Sequence, residues 1–154
     1  MWDFLSIDVR DSIMGTKIVV PVDGSDQSQK ALEYTYEHFP DATVTLLHVI
    51  NPARAGYGAQ AGLPSFSEEW YEEAEAAAEE LFEAAKADAP EGMTIETATE
   101  VGQPARTIVE FTEENDHDKI IIGSHGRKGI SRVLLGSVAE TVVRRAHVPV
   151  TVAR

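Results

Sequence analysis

Five short apolar runs recur along this chain, each separated from the next by a stretch with helical spacing, and that alternation leaves few folds open. Residues 17–22 (Lys17-Ile-Val-Val-Pro-Val22), 42–50, 94–101, 119–123 and 148–152 read as strands. Between the first two, Asp23-Gly-Ser25 is a turn that opens a helical pattern with Ala31, Leu32, Thr35 and Phe39 on one side. Residues 67–89 read as an Ala/Glu-rich helix. Gly102-Gln-Pro104 starts a helix through Asn115, with proline near the first helical position, where its missing N–H costs nothing. Residues 137–146 form the last helix. Strand and helix taking turns in this way predict an α/β fold: an open, five-stranded parallel sheet with helices on both faces.

At 154 residues the chain has room for one such domain, placed at residues 14–154, with residues 1–13 as an N-terminal extension, either an arm or a start codon assigned too far upstream. Residues 51–66, rich in Gly, Ala and Pro, form a long connection that reads equally as a mobile cover over a site or as a linker. The glutamates between Glu68 and Glu83 read as the solvated face of their helix.

Charge narrows the partners. The 26 acidic against 13 basic residues give a formal net charge of −13, which repels a nucleic-acid backbone and offers few cations to displace its counterions. Such an excess of carboxylates keeps a surface hydrated in concentrated salt, pointing to a halophilic setting or to an ordinary acidic protein. Without cysteines there are no disulfides and no thiolate metal sites. The first residues lack a basic start and an unbroken apolar stretch, and no run approaches the roughly 20 apolar residues of a membrane span. A soluble cytoplasmic protein is therefore expected.

Gly123-Ser-His-Gly-Arg-Lys-Gly-Ile-Ser-Arg-Val-Leu-Leu-Gly-Ser137 then stands out as a glycine-rich, basic loop leaving the fourth strand. In parallel sheets, ligands bind beyond the carboxyl ends of the strands, where strand order reverses. Glycines 123, 126, 129 and 136 suit close approach to a ligand and positive φ, and Arg127 and Lys128 suit a phosphate. The helix opening at Ser137 turns its unpaired first-turn N–H groups to the same space. Ser137-Val-Ala-Glu140 also has the spacing of a capping box. Asp23, ending the first strand, fits either a ribose or Mg²⁺ contact or a turn-capping role. Neither GxxxxGK[ST] nor GxGxxG occurs, the five histidines lack ligand spacing, and Ser124 with His125 lacks the elbow of a hydrolase.

These residues resemble the universal stress proteins, whose nucleotide-binding branch carries glycine, two residues, glycine, nine residues, glycine and then serine or threonine. Gly123, Gly126, Gly136 and Ser137 fall in that register. Pro21-Val-Asp-Gly-Ser25, Leu46-Leu-His-Val-Ile50, Val101-Gly-Gln-Pro104 and Val148-Pro-Val150 agree with other landmarks of the family, whereas Thr151 replaces a commonly aliphatic residue. The resemblance implies a Rossmann-like sheet ordered 3-2-1-4-5, ATP, AMP or another adenine nucleotide in the crevice, and homodimers, here along the edge strand from Val148 to Val152. Pro21, Val22 and Asp23 would line the adenosine side, and the Val49 backbone would meet the adenine edge. Gly123, Ser124, His125, Gly126, Arg127, Lys128 and Gly129 would wrap ribose and phosphates, with Gly136, Ser137, Val138 and Ala139 closing the phosphate site. Mg²⁺ or Mn²⁺ often accompanies the triphosphate in the family, though no carboxylate cluster here demands it. The resulting reading is a nucleotide-binding regulatory protein of stress adaptation. Its competitor is an enzyme that slowly hydrolyses ATP or transfers its nucleotide.

Overall fold

A computed structural model describes residues 15–55, 67–124 and 135–154. The strands are β1 (Lys17–Pro21), β2 (Thr43–Ile50), β3 (Thr94–Val101), β4 (Lys119–Gly123) and β5 (Val150–Ala153). The helices are α1 (Asp26–His38), α2 (Glu68–Ala87), α3 (Pro104–Glu114) and α4 (Ser137–Arg145), with one turn of 3₁₀ helix at Pro52–Ala55. The strands form one sheet in the order β3-β2-β1-β4-β5, with every pairing parallel. The expected α/β architecture and strand order are thus observed.

Successive residues of a buried strand face opposite sides of the sheet, and the core divides accordingly. Ile18, Val20, Val44, Leu46 and Ile121 pack with Leu32 and Tyr36 of α1 and with Phe82 of α2. Val19, Leu47, Ile120 and Ile122 pack with Ile108 of α3 and with Ala139 and Val142 of α4. Phe82 is 1% exposed, and burying such a side chain stabilises by on the order of 3 kcal/mol. Tyr36 locks α1 to α2 by donating its hydroxyl to the Ala85 carbonyl at 2.8 Å. Burial first, and Asp88 second, push its phenol up to about 12. The edge strand β3 departs from the apolar pattern, with Glu96 and Glu100 exposed, which suits an edge because charge there discourages pairing with a further chain.

Helix starts follow local chemistry. Ser67 caps α2 by accepting from the Trp70 N–H at 3.1 Å, and Gln103 caps α3 through the Arg106 N–H at 2.8 Å, with Pro104 in the first turn. A Cβ on Gly102 would collide with the Thr107 hydroxyl, so the bend between β3 and α3 needs a glycine. Phe39, the C-cap residue of α1, is half-buried and packs against the same core as Ala31 and Leu32.

Candidate functional site

Because β1 pairs with β2 on one side and β4 on the other, the crossovers leaving β1 and β4 go to opposite faces, and a crevice opens between them. It has a volume of about 840 Å³ and lies over the carboxyl ends of β1, β2 and β4.

On the β1 side, Asp23 ends the strand in a turn. Its Oδ1 accepts the Ser25 N–H at 2.9 Å and the Ser25 hydroxyl at 2.5 Å. Ser25 Oγ accepts the Ser28 N–H at 3.1 Å and so caps α1. This is the turn-organising reading of Asp23, and the carboxylate still borders the crevice. On the β2 side, His48 Nδ1 lies 2.8 Å from the Val22 carbonyl, while the Val22 N–H donates to the Leu47 carbonyl at 2.9 Å.

On the β4 side, the Ser124 N–H donates to the Ala153 carbonyl at 2.8 Å, and the Ser124 carbonyl accepts from the Gly136 N–H at 2.6 Å. The two ends of the glycine-rich loop are therefore tied together. The structure corrects two readings here. The N-cap of α4 is Gly136, not Ser137, and it makes no side-chain cap hydrogen bond. Glu140, expected to complete a capping box, pairs with Arg144 at 2.9 Å instead. Neither Gly123 nor Gly136 has positive φ: Gly136 is extended at φ −63° and ψ 161°. At Gly123 the missing Cβ makes room for α1, because a Cβ there would stand 2.6 Å from the backbone C and O of Gln27.

Of the residues singled out in the sequence, Pro21, Val22, Asp23 and Val49 line the crevice, as do Gly123, Gly136, Ser137, Val138 and Ala139. Ser124 is buried at the base of the loop. His125, Gly126, Arg127, Lys128 and Gly129 lie outside the described residues. Residues 1–13, and most of the connection read as a possible cover, lie outside them too. Sequence reasoning missed the wall supplied by His48, Trp70 and Leu81, together with the alanines Ala74, Ala77 and Ala84 of α2. The available signal was their helical spacing on an otherwise glutamate-rich helix and a lone imidazole near the end of an apolar strand. Among the described residues, no group of three or more His, Cys, Asp or Glu side chains could hold a metal.

Sheet order and crevice together define a Rossmann-like α/β protein whose pocket sits at the point where strand order reverses. The model of the universal stress protein family matches residues 14–154, and the chain belongs to that family. Universal stress protein MJ0531 of Methanocaldococcus jannaschii is 37% identical over 142 residues, 90% of this chain and 81% of that protein. Among solved structures, MJ0577 superposes with a TM-score of 0.77 at 29% identity, covering 91% of this chain and 96% of the other. A universal stress protein solved in complex with cAMP gives a TM-score of 0.58 at 26% identity, over 90% of this chain and 96% of the other. One from Archaeoglobus fulgidus in complex with dAMP gives 0.61 at 25% identity, over 90% and 98%.

Proposed function

We propose that this protein binds ATP, or another adenine nucleotide, in the crevice and acts as a regulatory protein of stress adaptation. The observation that carries the reading is the start of α4: its first turn lines the crevice and, among the described residues, has no side-chain cap. The N–H groups of Ser137, Val138 and Ala139 have no partner within the helix by geometry, and they stand at the positive end of its dipole, where phosphate binds. The cAMP and dAMP complexes of the two solved relatives support the same ligand class.

In this reading Pro21, Val22 and Asp23 flank the adenosine, the Val49 backbone meets the base, and the loop from Gly123 to Gly129 wraps ribose and phosphates. Mg²⁺ or Mn²⁺ would enter on the triphosphate, whose oxygens would supply most of its ligands. A second copy would pair along residues 148–152, since β5 pairs only with β4 among the described residues. Turnover is expected to be very slow, because the Asp23 oxygen nearest Ser25 already accepts two hydrogen bonds and hydrolysis needs a group that orients water. A cytoplasmic location belongs to the same proposal; among the described residues no helix is long and apolar enough to cross a membrane.

Calorimetric titration with ATP, AMP and cyclic AMP tests the proposal. The wild type should bind at least one of them, and Ser137→Glu should weaken that binding by about a hundredfold, because a carboxylate then stands beside the phosphates. Its melting temperature should not fall, since an acidic residue in a first turn favours the helix dipole. Wild-type protein that binds none of the three sinks the reading.

A further inference from the structure

The ladder between β1 and β2 stops half a rung short of the crevice. Its register runs without a break from Lys17 facing Thr43 to Pro21 facing Leu47, so Val22 comes next, opposite His48. In a parallel pair each bonded residue reaches the partner residues on either side of the one it faces. The first of these bonds is made, from the Val22 N–H to the Leu47 carbonyl at 2.9 Å. The second would run from the Val49 N–H to the Val22 carbonyl, and among the described residues it is not made.

A side chain takes that carbonyl instead. His48 Nδ1 stands 2.8 Å from it, and because a carbonyl can only accept, Nδ1 carries the hydrogen. Alternation along β2 puts the His48 side chain on the face of Leu46, which packs with Val22, α1 and α2. Val49 belongs to the other face, with α3 and α4. The imidazole therefore holds the end of β1 from behind the sheet as Val49 sees it. Backbone direction alternates too: Leu47 bonds toward β1, and Ile50 bonds toward β3, where its carbonyl accepts the Gly102 N–H at 2.9 Å. The Val49 N–H thus points toward the end of β1, where the ladder has given up its acceptor, and Val49 lines the crevice.

We propose that His48 is a positioning residue: by drawing the Val22 carbonyl out of the ladder it keeps the Val49 N–H open as a donor to a ring nitrogen of the nucleotide base. His48 itself touches no ligand in this arrangement. A strand-end amide left without its rung is a donor that gains most from an incoming acceptor. The inference rests on the nucleotide reading above and adds the side chain that prepares the Val49 backbone for it.

Amide hydrogen exchange and calorimetric titration of the full chain test it in the wild type, His48→Leu and His48→Asn, using whichever of ATP, AMP and cyclic AMP the wild type binds. Leucine fills the space without a donor, so the Val22 carbonyl should return to the Val49 N–H and complete the rung. Asparagine places its amide nitrogen near the position of Nδ1 and keeps the bond. In the free wild type, the Val49 amide should exchange at least about tenfold faster than that of Leu47, which the same ladder pairs. In His48→Leu it should slow toward the Leu47 rate, and the nucleotide should bind about tenfold more weakly with melting close to wild type. His48→Asn should restore both the fast exchange and the affinity to within a few-fold of wild type. A Val49 amide as protected as Leu47 in the free wild type overturns the assignment. So does a folded His48→Leu in which either the exchange rate or the affinity is unchanged, and so does an equal loss of affinity in both variants. Should His48→Leu fail to fold, His48→Asn decides: fast exchange with affinity kept supports the assignment, and slow exchange or lost affinity overturns it. Wild type that binds none of the three nucleotides overturns the nucleotide reading and this inference with it, and the exchange rates of the free protein tell that failure apart from a failure of His48.

Discussion

Where β1 hands over to α1, side chains take up the amides of the new helix: Ser25 Oγ accepts from Ser28, and Asp23 in turn holds Ser25 by both its N–H and its hydroxyl. Where β4 hands over to α4, the cap position is a glycine, and among the described residues no side chain takes that part. The two turns face the same crevice from either side of the point where strand order reverses. A helix start satisfied by its own side chains is finished as structure and offers an anion little. One without a side-chain cap leaves donors whose pairing depends on what else arrives, which is where a phosphate gains most.

Gly123 is where the two turns meet, and it carries the largest expected effect. Gly123→Ala should destabilise the protein by about 2–3 kcal/mol, because the new Cβ would be driven into the Gln27 backbone and push α1 off the sheet. The denaturant midpoint reads this directly. A variant that unfolds like wild type but no longer binds nucleotide would return Gly123 to the ligand and break the comparison, since the glycine would then belong wholly to the open turn.

Removing the side-chain cap from the closed turn is the next test. Ser25→Ala should cost about 1 kcal/mol, as loss of a serine N-cap does elsewhere. It should leave nucleotide affinity within a few-fold of wild type. A much larger loss of affinity would mean that the Asp23–Ser25 turn is itself part of the binding surface.

How far these turns were legible in the sequence follows from what each depends on. Strand and helix positions rest on apolar periodicity and on caps such as Ser67 and Pro104, whose chemistry is local, and they were readable, whereas the order of the strands was implied by the family resemblance. The Ser137-Val-Ala-Glu140 spacing misled, because the bond from Gly136 N–H to the Ser124 carbonyl sets the helix start one residue earlier than the capping pattern implies. The close approach of Gln27 to Gly123 was not readable, because the two are remote in the chain. The place of His48 in the crevice wall went unread because its contact is with a carbonyl brought in by the adjacent strand. Local chemistry was visible, and contacts made across the sheet were not.

The amino end of the sheet, away from both turns, supplies a control. His117 is buried there, with Nε2 bonded to the Thr45 hydroxyl at 2.9 Å and Nδ1 unpaired. Burial first and Lys17 second hold its pKa below the usual histidine value, against the opposing pull of Glu96 and Asp118. The folded state therefore binds fewer protons than the unfolded chain, so this contribution is complete above the unfolded value of about 6.5 and is lost as pH falls below it. Stability should decline from neutral pH toward pH 5, with a shallower slope in His117→Gln, which can still meet Thr45 and does not titrate. Equal slopes would assign the acid sensitivity to other groups. Acid that weakened nucleotide binding well before stability would place the sensitivity at the crevice instead.

The smallest change in stability should come from converting the open turn into a copy of the closed one. Gly136 sits at φ −63° and ψ 161°, a conformation open to any residue and usual for an N-cap, so nothing in its backbone requires glycine. Gly136→Ser would supply the hydroxyl that Ser25 supplies to α1, and replacing a glycine cap by serine is worth only a few tenths of a kcal/mol. Stability should rise by about that amount. Nucleotide affinity should fall several-fold, because the hydroxyl would occupy a first-turn amide and narrow the crevice where phosphate is expected. Paired measurements of melting temperature and ATP affinity decide the matter, since the comparison requires the two to move in opposite directions. If both rise, the amides of α4 were never held for a ligand, and the absence of a side-chain cap carries no functional meaning.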